Sequence, residues 1–97
     1  MACYLIACEL NCPGRDYIDL TDAIERLDER WHQCLEGMWL VVTDKTAVEI
    51  RDHLKPYLDR NDQLFVAQLS GDAAWRGGRG LASGLTALLR PHASPSR

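Results

Sequence analysis

The sequence has no apolar run approaching the roughly 20 residues that a membrane-spanning helix needs. Its opening, Met1-Ala2-Cys3-Tyr4-Leu5-Ile6, lacks the basic start of a secretory signal, and Glu9 cuts the apolar stretch short. A cytoplasmic protein with no membrane partner is the expectation. There is no C-x-x-C pair among Cys3, Cys8, Cys12 and Cys34, and no histidine stands at a zinc-finger spacing from them. Cys3 and Cys8 are an odd number of positions apart, so on a strand they point to opposite faces. Reduced thiols that pack as small hydrophobes follow from this, without a disulfide framework or a structural metal.

Acid is missing from the tail. No Asp or Glu follows Asp72, and residues 73–97 carry Arg76, Arg79, Arg90 and Arg97 for a charge of +4. Residues 1–72 hold all 14 acids against seven bases, a net of −7. An acidic body argues against broad electrostatic binding of nucleic acid. It leaves open a local basic strip, or a tail that folds back on the body. The 97 residues suit one compact domain, and the composition (46% hydrophobic, 26% charged) excludes disorder, collagen-like repeats and coiled coil for the whole.

Six apolar segments give the order of elements. Residues 3–10, CYLIACEL, form a short apolar run closed by the loop signal Asn11-Cys12-Pro13-Gly14, and read as a strand. Tyr17, Leu20, Ala23, Ile24 and Leu27 share a helical face, with Asp16 as the expected N-cap. WHQCL (31–35) and MWLVVT (38–43) read as two strands joined through Glu36-Gly37. Thr46-Ala47-Val48-Glu49 has the form of a capping box, and Ala47, Ile50, Leu54 and Leu58 continue at helical spacing until Pro56 breaks the last turn. Residues 63–70, QLFVAQLS, form a fourth strand.

The order β-α-β-β-α-β predicts an α+β, ferredoxin-like fold, a four-stranded antiparallel sheet with two helices on one face. Residues 1–75 make that domain. Residues 76–97 read as a Gly/Arg joint, a short helix on Leu81, Leu85 and Leu88 stopped by Pro91, and a frayed end from His92.

The strands do not alternate cleanly. In the first, Cys3, Leu5 and Ala7 oppose Tyr4, Ile6, Cys8 and Leu10; in the fourth, Leu64 and Val66 oppose Phe65, Ala67 and Leu69. Both sheet faces therefore read as apolar, while two helices cover only one. An open apolar face marks an interface, and a homodimer through the sheet face is the expected solution.

Glu9 closes the first strand on the face of Cys3, Leu5 and Ala7. A carboxylate there is either a metal ligand or a hydrogen-bonded strand-end acid. Near a two-fold axis, Glu9 and its mate would jointly hold Mg²⁺, which prefers a few carboxylates plus waters. His32 and His53 are weaker candidates for general bases, and His53 reads as a surface residue. Asp59, Asn61 and Asp62 fit turn chemistry better than a cation site. Trp31, Trp39 and Trp75 read as packing residues rather than base-stacking ones.

The opening text Cys3-Tyr4-Leu5-Ile6-Ala7-Cys8-Glu9-Leu10-Asn11 followed by Pro13, with His32-Gln33-Cys34-Leu35-Glu36, resembles small CRISPR-associated adaptation proteins. The resemblance extends to the virulence-associated protein D group, whose members are ribonuclease toxins. It is closest to a SinR-like branch through Trp39-Leu40-Val41, Asn61 to Val66 and Gly71 to Trp75. It covers about residues 3–75 and implies a homodimeric ferredoxin-like fold. It also implies a metal-dependent nuclease in which Glu9 takes the place of a first-strand Asp, one methylene shorter, as metal ligand and catalytic group. Cys8 stands where that family has an aromatic residue.

Two functions from different classes follow. One is a nucleic-acid-linked homodimer in which Glu9 holds Mg²⁺ for phosphodiester cleavage and Arg15, Arg76 and Arg79 contact phosphates. The other is a non-catalytic protein-interaction module, such as a toxin–antitoxin or integration-complex scaffold. Its negative helix face of Asp16, Asp19, Asp22 and Glu25 would repel nucleic acid.

Overall fold

The structure, a computed structural model, describes residues 2–12, 16–28, 31–70, 73–76 and 93–95. Its main body is a four-stranded antiparallel sheet with two helices, the α+β arrangement expected of a ferredoxin-like fold. The elements are β1 (Ala2–Glu9), α1 (Ile18–Glu25), β2 (His32–Leu35), β3 (Met38–Thr43), α2 (Ala47–Leu54) and β4 (Gln63–Gln68). The strand order is β2-β3-β1-β4, with β1 central against β3 and β4.

The core lies between the sheet and the helices. Tyr4 and Ile6 of β1 and Trp39 and Val41 of β3 face Leu20, Ala23 and Ile24 of α1 and Ile50 and Leu54 of α2. Ile6, Ala23, Ile24, Val41, Ile50 and Leu54 are fully buried. This is the even-numbered face of β1, as period-2 alternation requires once Ile6 points inward. Trp39 is buried here, in keeping with a packing role.

The helices begin differently. Thr46 caps α2 as expected: its hydroxyl accepts from the Glu49 N–H at 3.2 Å, and the Glu49 carboxylate accepts from the Thr46 N–H at 2.9 Å. Pro56 sits in a 3-10 turn over Lys55–Tyr57 that closes the helix four residues earlier than the Leu58 periodicity suggested. At α1 the N-cap is Tyr17 rather than the expected Asp16, with φ 56° in the left-handed region. Asp16 still assists, since its carboxylate accepts from the Ile18 N–H at 3.2 Å. A non-glycine residue holds such a φ only where its surroundings compensate, and the Tyr17 side chain supplies that anchor, as described below.

β2 is short and bulged. The register shifts between Gln33 and Leu35, so that Cys34 is the extra residue. Cys34 is buried and its thiol donates to the Met38 carbonyl at 3.4 Å. β2 starts at His32, opposite Leu40, and Val42 lies two residues beyond that pair on β3. The Asp28 carboxylate accepts from the Val42 N–H at 2.8 Å.

Ala73–Trp75 (β5) and Ala93–Pro95 (β6) form a separate parallel pair. The sequence reading placed residues 93–95 in a frayed end. Pro95 biases Ser94 toward extended backbone, which is the conformation that pairing uses. The expected helix on Leu81, Leu85 and Leu88 lies outside the described residues. Among those residues no helix is long and apolar enough to cross a membrane.

Candidate functional site

The face of the sheet turned away from the helices carries Leu5, Ala7 and Glu9 of β1, Met38, Leu40 and Val42 of β3, and Phe65 and Ala67 of β4. Cross-strand pairs Leu5–Leu40, Ala7–Met38, Leu5–Ala67 and Ala7–Phe65 put them on one side. Leu40 at its centre is buried, whereas Phe65 is 62% exposed and Leu35, on β2, is 51% exposed. Both faces are therefore apolar, as the broken alternation in the sequence indicated.

At one end of this face is an open depression of about 660 Å³. Leu35, Met38 and Phe65 form its apolar lining, and Glu9, Glu36 and Gln63 its polar rim. Among the described residues, the lining holds two carboxylates and no base. The β2–β3 turn is tied closely to β1 at this depression: the Cys8 N–H donates to the Gly37 carbonyl at 2.7 Å. A Cβ on Gly37 would lie 2.5 Å from the Cys8 carbonyl oxygen. Only glycine fits this turn without displacing it.

Glu9 is exposed at the rim and pairs in register with Gln63. Its carboxylate accepts from the Asn11 side-chain amide at 3.4 Å, and the same amide donates to the Asn61 carbonyl at 2.9 Å. Behind the rim, Asp62 gathers three donors. The Asn11 N–H (2.7 Å) and the Tyr17 hydroxyl (2.8 Å) meet one oxygen, and the Asp59 N–H (2.7 Å) meets the other. The Tyr17 hydroxyl in turn accepts from the Cys12 N–H at 3.0 Å. Asn61 and Asp62 thus join the turn before β4 to the segment after β1, while Asp59 bonds to Asn61 and Asp62 within the turn. The sequence showed the turn residues but not Tyr17, whose partner lies 45 positions away.

The thiols beside the sheet are held neutral. Burial, with the Asp28 carboxylate adding to it, raises the Cys3 pKa to about 11. Burial and then Asp62 do the same for Cys8, also to about 11. Burial raises that of Cys34 as well. Neither geometry nor charge makes a nucleophile of them.

The two histidines sit apart from Glu9. His53 is half-buried rather than on the surface, and its Nε2–H donates to the Ala23 carbonyl at 3.3 Å, linking α2 to α1. His32 pairs with Leu40 on the face turned away from the helices, and its buried Nε2 has no hydrogen-bond partner among the described residues. Of the arginines, Arg76 is exposed after β5, while Arg15 and Arg79 lie outside the described residues.

For Mg²⁺ the fit within one chain is poor. Among the described residues no group of three His, Cys, Asp or Glu side chains could hold a metal ion, and Glu9 already accepts from Asn11.

No known protein-family model matches the chain, and no solved structure matches it significantly.

Proposed function

We propose that the protein is a non-catalytic protein-interaction module whose depression between β1, the β2–β3 turn and β4 docks a partner segment carrying apolar and basic side chains. The observation that carries this reading is the pairing of exposed Phe65 and Leu35 with a rim that holds Glu9 and Glu36 and, among the described residues, no base. Phe65 and Leu35 are already partly buried, so covering what remains exposed gains roughly 1–2 kcal/mol each. The rim repels a phosphate backbone and attracts Lys or Arg, so the charge selects the partner class.

The test is a titration followed by amide chemical shifts, using a short synthetic peptide that alternates leucine and arginine. Its twin has glutamate for arginine. The reading expects shifts at Leu35, Gly37 and Phe65 with the first peptide only, weakened about tenfold by Glu9→Gln together with Glu36→Gln. Equal binding of both peptides, or of neither, overturns it.

One observation favours the nucleic-acid-linked homodimer as a second reading: Glu9 is exposed at the edge of an apolar sheet face. Two such faces paired about a two-fold axis would bring two Glu9 carboxylates together, and Mg²⁺ would relieve their repulsion. Its signature is cleavage of RNA or DNA with Mg²⁺ or Mn²⁺ that Glu9→Gln abolishes.

A further inference from the structure

The two edges of the sheet are treated differently. β2 is an edge of four residues broken by the bulge at Cys34, which discourages pairing. β4 is the other edge, and none of these protections applies to it. Its six residues, Gln63-Leu64-Phe65-Val66-Ala67-Gln68, include no charge and no proline. Its register on β1 runs unbroken from Glu9–Gln63 to Tyr4–Gln68. Among the described residues no strand lies on its outer side.

The hydrogen-bonding phase of β4 follows from two bonds. The Leu69 N–H donates to the Cys3 carbonyl, and the Cys8 N–H donates to Gly37 across the other side of β1. Odd-numbered residues of β1 therefore bond to β4, and odd-numbered residues of β4 bond back. The N–H and C=O groups of Leu64, Val66 and Gln68 must then point outward. On the helix side they border a groove of about 140 Å³ lined by Ala47, Val48, Arg51, Leu64 and Val66, and Val48 is 55% exposed.

We propose that β4 pairs antiparallel with β4 of a second copy about a two-fold axis through Val66, making one continuous eight-stranded sheet. An edge two-fold perpendicular to the sheet pairs residues of the same parity, because partners in a ladder share a face. With Val66 on the axis, Leu64 meets Gln68 of the partner subunit and Phe65 meets Ala67 of the partner subunit. All three outward residues are then used, for about six cross-strand hydrogen bonds. The exposed Phe65 ring lies over a small neighbour instead of colliding with a large one. Charge agrees: a strand without charged side chains meets its own copy without like-charge repulsion, and Asp62 falls opposite Ser70 of the partner subunit. This pairing is independent of what occupies the depression, and it sets two depressions on the same side of one sheet.

The experiment is amide hydrogen exchange on the whole chain at high and low protein concentration, with mass measured in solution. The pairing predicts that the Leu64, Val66 and Gln68 amides exchange at least about tenfold more slowly in the concentrated sample. Phe65 and Ala67, already bonded to β1, change much less. Gln68→Pro, which removes an outward donor at an exposed edge position, should return the mass to one chain. If the protein is a monomer throughout, or associates with no change at Leu64, Val66 and Gln68, the pairing is wrong. The second outcome is the one that face-to-face pairing through Leu5 and Leu40 gives. The native-chain exchange pattern decides the matter even if Gln68→Pro fails to fold.

Discussion

The Tyr17 hydroxyl donates a 2.8 Å hydrogen bond to the Asp62 carboxylate, joining the start of α1 to the turn before β4. That bond anchors a residue whose φ of 56° is otherwise unfavourable, and it keeps the loops beside Glu9 together. Asp62→Ala leaves the Asn11 and Asp59 N–H donors and the Tyr17 hydroxyl without their acceptor. A loss of roughly 1–3 kcal/mol in denaturant unfolding is expected. Tyr17→Phe should destabilise in the same direction, and the two effects should be strongly non-additive in a double-mutant cycle. Desolvation, and then the bond to Asp62, raise the Tyr17 pKa above its usual 10.0. The stability this contributes is complete below pH 10 and is lost as pH rises through the folded-state value.

Gly37→Ala should push the β2–β3 turn away from β1. The added Cβ meets a backbone carbonyl at 2.5 Å, and backbone does not yield as a flexible side chain does. A cost of about 1–3 kcal/mol is expected. Faster exchange of the Cys8 amide would accompany it, since that N–H bonds to the Gly37 carbonyl.

Thr46→Ala should cost about 1 kcal/mol by removing one half of the capping box. The hydrogen bonds from Thr46 hold the Glu49 carboxyl below its ordinary 4.5. Its share of stability is therefore present above pH 4.5 and disappears as pH falls through the lower folded-state value. In Thr46→Ala, a shift of the Glu49 titration back toward 4.5 in carboxyl-detected NMR checks the coupling.

Cys3 and Cys8 should resist alkylation. Raising a thiol from 9.0 to about 11 lowers the thiolate fraction at neutral pH about a hundredfold. Iodoacetamide labelling read by peptide mass should be correspondingly slow at both, and fast after unfolding. Because the folded-state values are raised, the associated stability is complete below pH 9 and is lost as pH climbs through 11.

Much of the fold was legible because its signals are local. The Thr46–Glu49 spacing gave the start of α2, the β-branched run 38–43 gave β3 to the residue, and the mixed strands gave a sheet apolar on both sides. What was not legible depends on contacts distant in sequence. Asp16 looked like the cap of α1 because its chemistry suits one, but Tyr17 takes the position through an acceptor 45 residues on. The bulge at Cys34 arises from the register that β3 imposes on β2. His53 read as exposed from its neighbours Asp52 and Leu54, whereas packing of α2 on α1 brings it to the Ala23 carbonyl. At the candidate site, Glu9 was recognisable as a strand-end acid. Glu36, Leu35 and Phe65 were legible only as turn and strand residues, because the depression exists only once β1, the β2–β3 turn and β4 are brought together.

The most direct test concerns Phe65 itself, through the stability and peptide affinity of Phe65→Ser. An exposed docking residue predicts unfolding stability within about 0.5 kcal/mol of the native chain, with at least about tenfold weaker binding of the leucine–arginine peptide. A destabilisation of several kcal/mol, or unchanged affinity, would contradict the assignment of this face to partner docking.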